Sequence, residues 1–146
     1  MIGHILVASD GAESRGAAAA VAQLVDGYAA PVEVEVLHVV EVEYDAAAPG
    51  REGTDVHPEA RRQVEELVEE LRGLGVDATA RIRSGQYETV AEDILAEARE
   101  RGADLIVVGC KGRTGLKAWI MGSVSQAVIR HSDCPVLVVH ERAAVD

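Results

Sequence analysis

The sequence has little of several residue types on which other classes of protein depend. It contains no phenylalanine, aromatic residues make up 3% of its 146 positions, and it has two cysteines. Two cysteines are too few for a disulfide framework, and the cytosol is the simplest compartment. The longest apolar runs have the length of a strand, so no segment is expected to span a membrane.

Basic residues are also scarce. The chain has 14 Lys and Arg against 25 Asp and Glu, which gives a formal net charge of -11. Proteins that bind nucleic acid usually present a basic surface, and many add aromatic side chains on which bases stack. Because both features are missing, general nucleic-acid binding is not expected.

The rest of the composition is that of a globular protein, with 48% hydrophobic and 27% charged residues. A chain of this length buries about 68–70% of its unfolded surface in one core, so residues 1–146 are expected to form a single domain. The first residues lack a basic leader ahead of their short apolar run, and no signal peptide is expected.

Strand-like apolar runs alternate with helical patterns along the chain. The pattern predicts strands at residues 5–9, 32–40, 76–82, 105–108 and 135–139. It predicts helices that begin near Ser14, Pro58, Val90 and Ser123. The first three are predicted to end at Pro31, at Gly73 or Gly75, and at Gly102. This alternation predicts an α/β domain with a mostly parallel sheet.

The sequence also predicts the structure of two segments that connect the strands and helices. The polar, acidic segment 41–56 is predicted to be the longest loop, with Thr54 or Asp55 as a candidate cap of the second helix. Ser84 and Gly85 are predicted to form a turn after the third strand. His38, a polar residue within the apolar second strand, is interpreted as a hydrogen-bonded residue at the edge of the core.

Ligands of parallel α/β sheets bind outside the carboxyl ends of the strands, where the strand order reverses. In this sequence Asp10 follows the first predicted strand, Val39 is near the end of the second, and Gly109 follows the fourth. We therefore expect these three positions to meet at one edge of the sheet. Asp10 has an alternative role, because Asp commonly caps the turn into a helix.

The segment GCKGRTGLKAWIMGS, from Gly109 to Ser123, has the features of an anion site. Its glycines allow the backbone to approach a ligand and to adopt positive φ, and a helix start after Gly122 exposes free N–H groups. No acidic residue occurs from Gly109 to Ser132, whereas four basic residues do: Lys111, Arg113, Lys117 and Arg130. A chance gap in the acids is the alternative explanation.

Generic motifs do not account for this segment. It lacks the Lys-Ser or Lys-Thr pair of a Walker A loop and the G-x-G-x-x-G dinucleotide pattern, and GSVSQ is not a nucleophile elbow. The five histidines have no metal-ligand spacing with one another or with the cysteines. Cys110 is either a small packing residue or a redox-sensitive thiol beside Lys111. No catalytic residue and no fixed metal ligand is predicted.

The spacing G-x2-G-x9-G-[S/T], formed by Gly109, Gly112, Gly122 and Ser123, is the ATP-binding signature of the universal stress protein family. ILVASDG resembles the first strand and acidic turn of that family, and LHVV resembles its second strand. GCKGRTGLKAWIMGSVSQAVIRHSDCPVLVV is similar to its long C-terminal block almost position for position. The resemblance covers nearly the whole chain.

This resemblance implies a fold and an assembly. The fold is a three-layer α/β/α domain with a five-stranded parallel sheet in the order 3-2-1-4-5, of the Rossmann-like, adenine-nucleotide α-hydrolase-like type. The assembly is a homodimer that pairs the final strands, from Pro135 to His140. An apolar edge strand such as PVLVV would otherwise be exposed, which gives the dimer a physical reason.

The resemblance also implies a set of nucleotide-binding residues: Ala8, Ser9, Asp10, Val39, Val108, Gly109, Gly112, Arg113, Gly122, Ser123, Val124 and Ser125. Asp10 would accept hydrogen bonds from the ribose, the Val39 backbone would contact the adenine, and the residues from Gly122 onward would bind the phosphates. Three departures from the family bear on pocket shape and base preference: Ala8 in place of a proline, the shifted serine of DGAES, and the bulky Trp119.

The implied function is that of a stress-response or regulatory protein that binds ATP, or AMP, and changes its dimer or partner surface. Mg²⁺ or Mn²⁺ would be held through the phosphates, because the glycine segment has no carboxylate. One alternative is a slow ATPase or another adenine-nucleotide enzyme. Others are a sensor of AMP or a cyclic nucleotide, and an interaction protein that no longer binds nucleotide.

Overall fold

Strands and helices alternate along the chain in a computed structural model that describes residues 1–9, 15–43, 46–47, 50, 54–55, 58–85, 89–112, 119–120 and 122–141. The elements in chain order are β1 His4–Ala8, α1 Arg15–Asp26, β2 Glu33–Glu43, β3 Thr54–Asp55, α2 Pro58–Gly73, β4 Asp77–Gly85, α3 Val90–Arg101, β5 Leu105–Gly112, β6 Trp119–Ile120, α4 Ser123–His131 and β7 Val136–Glu141.

Five of the strands are parallel and lie side by side in the order β4-β2-β1-β5-β7. Counted along the chain, these are the third, second, first, fourth and fifth long strands. The predicted order 3-2-1-4-5 is therefore confirmed. The two remaining strands, β3 and β6, are two residues long and pair antiparallel to the ends of β2 and β5.

The central strand β1 is buried on both faces, which explains its uninterrupted apolar sequence. Ile5 and Val7 point to one side and pack in a cluster with residues of α1 and α2. Leu6 points to the other side and packs with residues of α3 and α4. The alternation of side chains along one strand thus separates two cores, and the molecule has the predicted three layers.

The helices follow the sequence pattern closely. The buried residues of α2 recur at helical spacing and form one stripe: Ala60, Val64, Leu67, Val68 and Leu71. Helix α3 ends at Gly102, which has a φ of 66° and occupies the left-handed region that favours glycine. Within the described residues, no helix is both long enough and apolar enough to cross a bilayer.

The long strands extend further than the sequence predicts. β2 continues to Glu43 and β5 continues through Gly109 to Gly112. Ser84 and Gly85 do not form a turn, because they pair in β4 with Val40 and Glu41 of β2. Ladder pairing between strands that are distant in sequence outweighs the weak strand propensity of Ser and Gly here.

The predicted loop 41–56 is also partly wrong. Val42 and Glu43 still belong to β2, and they pair with Asp55 and Thr54 of β3. Thr54 and Asp55 are therefore strand residues rather than caps of α2. A two-residue strand at a sheet edge leaves little trace in sequence, because its stability comes from the partner strand.

Two buried carboxyl groups interrupt the apolar side of the sheet that faces α3. Glu35 in β2 and Glu97 in α3 are only 2% and 1% exposed. Arg101 Nε donates to Glu35 Oε2 at 3.0 Å. Arg83 Nη1 donates to Glu97 Oε2 at 3.0 Å, and Arg81 Nε lies 3.0 Å from Glu97 Oε1. The acids and their arginines form one ion network between β2, β4 and α3.

The two carboxyl groups of this network have opposite pKa shifts. Burial, followed by the hydrogen bond with Glu97, raises the pKa of Glu35, and Arg101 opposes this effect. Burial also raises the pKa of Glu97, but hydrogen bonds from Glu35 and Arg83 and the nearby charge of Arg81 outweigh it, so that this pKa is lowered overall. The pKa of Glu35 is therefore raised and that of Glu97 lowered within one ion network.

The raised pKa of Glu35 makes the stability of the fold depend on pH. Because the pKa of Glu35 is higher in the folded chain than the value of about 4.3 for an unfolded Glu, stability falls as the pH rises from that value through the folded pKa. Glu35→Gln keeps a neutral donor and is expected to lose this slope at a cost of at most about 1 kcal/mol. Urea unfolding at a series of pH values measures the effect.

The matched variant is Glu97→Gln, which removes the carboxylate that Arg81 and Arg83 share. Its pKa is lowered in the folded chain, so its contribution exists above the unfolded pKa and is lost as the pH falls through the folded value. At neutral pH this variant is expected to cost about 1–3 kcal/mol. If the unfolding free energy of Glu35→Gln depends on pH as that of the wild type does, Glu35 is not the source of the slope.

Candidate functional site

The carboxyl edge of the sheet, by which we mean the edge where the parallel strands end, has the topology that predicts a ligand crevice. β1 stops at Ala8, whereas its neighbours β2 and β5 run on to Glu43 and Gly112. β1 lies between β2 on one side and β5 on the other, so the direction in which successive strands are added to the sheet reverses at β1. A reversal of this kind opens a space between the connections on either side, and ligands of α/β sheets bind there.

Ser9, the first residue after β1, lies at this edge and is 9% exposed. Its N–H donates to Leu37 O at 2.9 Å, and its carbonyl accepts from His38 Nδ1 at 3.1 Å. Val7 is the last residue of β1 that is paired with β5, opposite Val107. Ser9 and Gly109 each lie two residues beyond this last pair, toward the carboxyl edge.

Gly109 lies in β5, paired with Val139 of β7, and is exposed. The prediction that it follows the strand is wrong, because β7 and β6 extend the ladder of β5 beyond it. Its carbonyl accepts a hydrogen bond from Ser125 Oγ at 3.4 Å. This bond connects the first turn of α4 to β5.

The N-terminus of α4 presents backbone amides at this edge. Gly122 is the N-cap residue, with a φ of -66° and a ψ of 158°, and the first helical bond runs from Gln126 N–H to Gly122 O at 3.0 Å. The amides of residues 123–125 precede that bond and therefore lie outside the repeating hydrogen bonds of the helix. The first turn has no acidic residue, so the positive end of the helix dipole is not neutralised by its own side chains.

Glycine at position 122 is not required by the backbone. Its φ is negative and in a region that any residue can adopt. A Cβ built on Gly122 meets no described atom within 4 Å. There is therefore open space at the Gly122 Cβ position, at the start of α4.

Four apolar residues of the predicted site meet in one cluster. Val39 and Val108 are buried members of the core on the α3 and α4 side, and Ala8 and Val124 pack against the same core. Val39 and Val108 are 5% and 3% exposed. Their side chains are therefore occupied in packing, and they can offer a ligand mainly their main-chain groups.

The structure describes two of the remaining predicted site residues, Gly112 and Ser123. Gly112 is the last residue of β5 and pairs with Trp119 of β6, so it is a strand residue rather than a loop residue. Ser123 is exposed at the start of α4. Asp10 and Arg113 lie outside the described residues, and their roles stay predictions.

His38 is a feature that sequence reasoning interpreted only in part. It is 4% exposed and therefore buried in the core, and its Nδ1 atom is hydrogen bonded as expected. Its Nε2 atom has no hydrogen-bond partner among the described residues. The sequence signal was a single polar residue in the apolar run LHVV, but the spacing alone gave no reason to connect it with Ser9.

Among the described residues, polar groups away from the carboxyl edge do not form a second candidate site. In the described part of the chain, no group of three or more His, Cys, Asp or Glu side chains is arranged to hold a metal ion. The pKa shifts of Glu35 and Glu97 arise from burial and from partners within their own ion network. Perturbed carboxyl groups can mark an active site, but this pair is almost fully buried and neutralised by arginines.

The family of the chain follows from its match to known proteins. The family model for the universal stress protein family matches residues 1–140. The chain belongs to the universal stress protein family. The resemblance to this family that the sequence motifs indicate is therefore confirmed over nearly all of the sequence.

The chain is also similar in sequence to individual universal stress proteins. The chain is 32% identical over 109 residues to one from Methanocaldococcus jannaschii, an alignment that covers 73% of this chain and 64% of the relative. It is 40% identical over 85 residues to one from Bacillus subtilis, with 58% and 55% covered. The aligned chain thus spans less than two thirds of the length of either relative.

A solved structure supports the same fold. The universal stress protein from Archaeoglobus fulgidus in complex with dAMP is 25% identical to this chain and superimposes with a TM-score of 0.67. The superposition covers 95% of this chain and 99% of that one. The α/β/α architecture is therefore shared from end to end.

Proposed function

We propose that this universal stress protein binds an adenine nucleotide in the crevice at the carboxyl edge of its sheet. The observation that carries the proposal is the Ser125–Gly109 hydrogen bond of 3.4 Å, which connects the N-terminus of α4 to β5, the strand that pairs with β1. The phosphates would lie at α4, and the nucleoside would lie toward β1 and β2.

Electrostatics favours an anion at this position. The protein has a net charge of -11, yet no acidic residue occurs from Gly109 to Ser132. Free amides and the helix dipole at an N-terminus each favour negative charge, with typical stabilisation of about 0.3–1 kcal/mol for an exposed charge. Ser123 adds a hydroxyl donor within the same turn, so the site offers donors and little repulsion to a phosphate.

The nucleoside half of the proposal depends on β1 and β2. The chain passes from Ser9 directly to Asp10, and a carboxylate there would accept hydrogen bonds from the ribose hydroxyls. The main chain at Val39 would contact the adenine edge. Both positions follow from the family signature, and the burial of Val39 supports a main-chain rather than a side-chain contact.

The relative that is bound to dAMP supports adenine nucleotides as the ligand class. We propose ATP as the ligand, with AMP and a cyclic nucleotide as alternatives. A Mg²⁺ or Mn²⁺ ion would be held by the phosphates, because the segment from Gly109 to Ser132 contains no carboxylate. The bound nucleotide would act by changing the dimer or a partner surface. The proposal includes no catalytic step, since the same segment offers no carboxylate base for hydrolysis.

The variant Gly122→Val tests the phosphate site. A valine side chain would occupy the open space at the start of α4 and block the approach of a phosphate. The dissociation constant for ATP, measured by isothermal titration calorimetry, is expected to rise at least tenfold, which corresponds to about 1.4 kcal/mol. Parallel titrations with AMP and cyclic AMP, each with and without Mg²⁺, identify the preferred ligand and the role of the ion.

The matched control is Gly73→Val at the end of α2, where a Cβ also meets nothing within 4 Å. This control introduces the same side chain away from the carboxyl edge and is expected to leave the dissociation constant unchanged. Both variants should unfold cooperatively, because neither position has a positive φ. An unchanged affinity in Gly122→Val would contradict the phosphate site.

We also propose that two copies pair through β7, which lies at the edge of the sheet. Leu137 on this strand is 36% exposed, an unusual exposure for a leucine on an edge strand. Leu137→Lys is expected to convert a dimer to a monomer in analytical ultracentrifugation, since a charge on an edge strand opposes pairing. Leu74→Lys is the control, because Leu74 is 57% exposed beyond the end of α2. A dimer that survives Leu137→Lys, or a monomeric wild type, would refute this interface.

A further inference from the structure

The ring of His38 links the second strand to the end of the first. His38 is 4% exposed, and its Nδ1 atom lies 3.1 Å from Ser9 O. A carbonyl oxygen can only accept a hydrogen bond, so the ring must carry a proton on Nδ1. This contact is the last described link between β2 and the main chain of β1 before residue 10.

An imidazole at this position has a cost for stability. The Nε2 atom of His38 is buried and has no hydrogen-bond partner among the described residues. A buried polar atom without a partner is unfavourable, and an apolar side chain of similar size would avoid the cost. The packing of the core therefore does not explain a histidine here, and the bond to Ser9 is the interaction that the ring adds.

That bond fixes the orientation of a peptide group. The carbonyl of Ser9 belongs to a planar peptide unit, so holding its oxygen restrains the rotation of that unit. The N–H of Ser9 is held as well, by Leu37 O at 2.9 Å. Two consecutive residues of β2 therefore hold Ser9 from both of its main-chain groups.

We infer that His38 is a positioning residue for the nucleoside end of the site, an inference that rests on the proposed nucleotide binding. The residue after His38 is Val39, the proposed adenine contact, and the residue after Ser9 is Asp10, the proposed ribose contact. The His38–Ser9 bond ties the main chain of Ser9 to the strand that carries Val39. Its loss removes one restraint on the Ser9 carbonyl, and binding would then include the cost of ordering that group.

The experiment compares His38→Leu with His38→Asn. The Asn amide nitrogen is one atom beyond Cγ, as Nδ1 is, and can donate to Ser9 O, whereas Leu has no donor. Calorimetric titration with ATP and with AMP is expected to show affinity about tenfold weaker for His38→Leu, and within about threefold of the wild type for His38→Asn. AMP should be affected as strongly as ATP, because the bond acts on the nucleoside end.

The control for a purely structural role is Val36→Ala. Val36 lies on the same face of β2 and is 0% exposed, so this variant loosens the core without touching Ser9. Urea unfolding measures the stability of all three variants. Equal weakening in Val36→Ala and His38→Leu would overturn the inference, and so would wild-type affinity in His38→Leu.

Nitrogen NMR of the ring supplies a readout that core packing does not move. The inference predicts the tautomer with the proton on Nδ1, and a proton on Nε2 alone would overturn it. A wild-type protein that binds neither ATP nor AMP would refute the proposed function itself, and the inference with it. That outcome differs from a wild type that binds and is insensitive to His38, which refutes the positioning role alone.

Discussion

The parallel pairing of β1 between β2 and β5 is the constraint on which the rest of the structure depends. A strand with neighbours on both sides and helices on both faces must be apolar throughout, and Ile5, Leu6 and Val7 are at most 2% exposed. Because the three strands run in one direction, their carboxyl ends lie at one edge. The early end of β1 at Ala8 then opens the crevice between its longer neighbours.

Two sets of buried polar groups interrupt this apolar framework, and they differ in kind. Glu35 and Glu97 are paired with Arg101, Arg81 and Arg83 across the contact between α3 and the sheet. His38 is not part of such a network: one ring nitrogen holds Ser9, and the other has no partner among the described residues. Only the second arrangement points to the crevice.

Much of the fold could be predicted from the sequence, because hydrophobic periodicity and the stop at Gly102 are local signals. The strand ends could not be predicted. Gly109 and Gly112 have little intrinsic preference for a strand, and they are held in β5 by partners in β6 and β7 that are distant in sequence. The contact between His38 and Ser9 depends on the strand register in the same way.

The central claim is that an adenine nucleotide occupies the crevice at the carboxyl edge. Backbone amide NMR during a titration with ATP tests it most directly, because each amide reports its own surroundings. The account predicts shifts concentrated at Ser9, Val39, Gly109 and residues 123–125, with the amides of the solvent face of α2 unchanged. No shifts at saturating ATP, or shifts concentrated on α2 and β4, would contradict it.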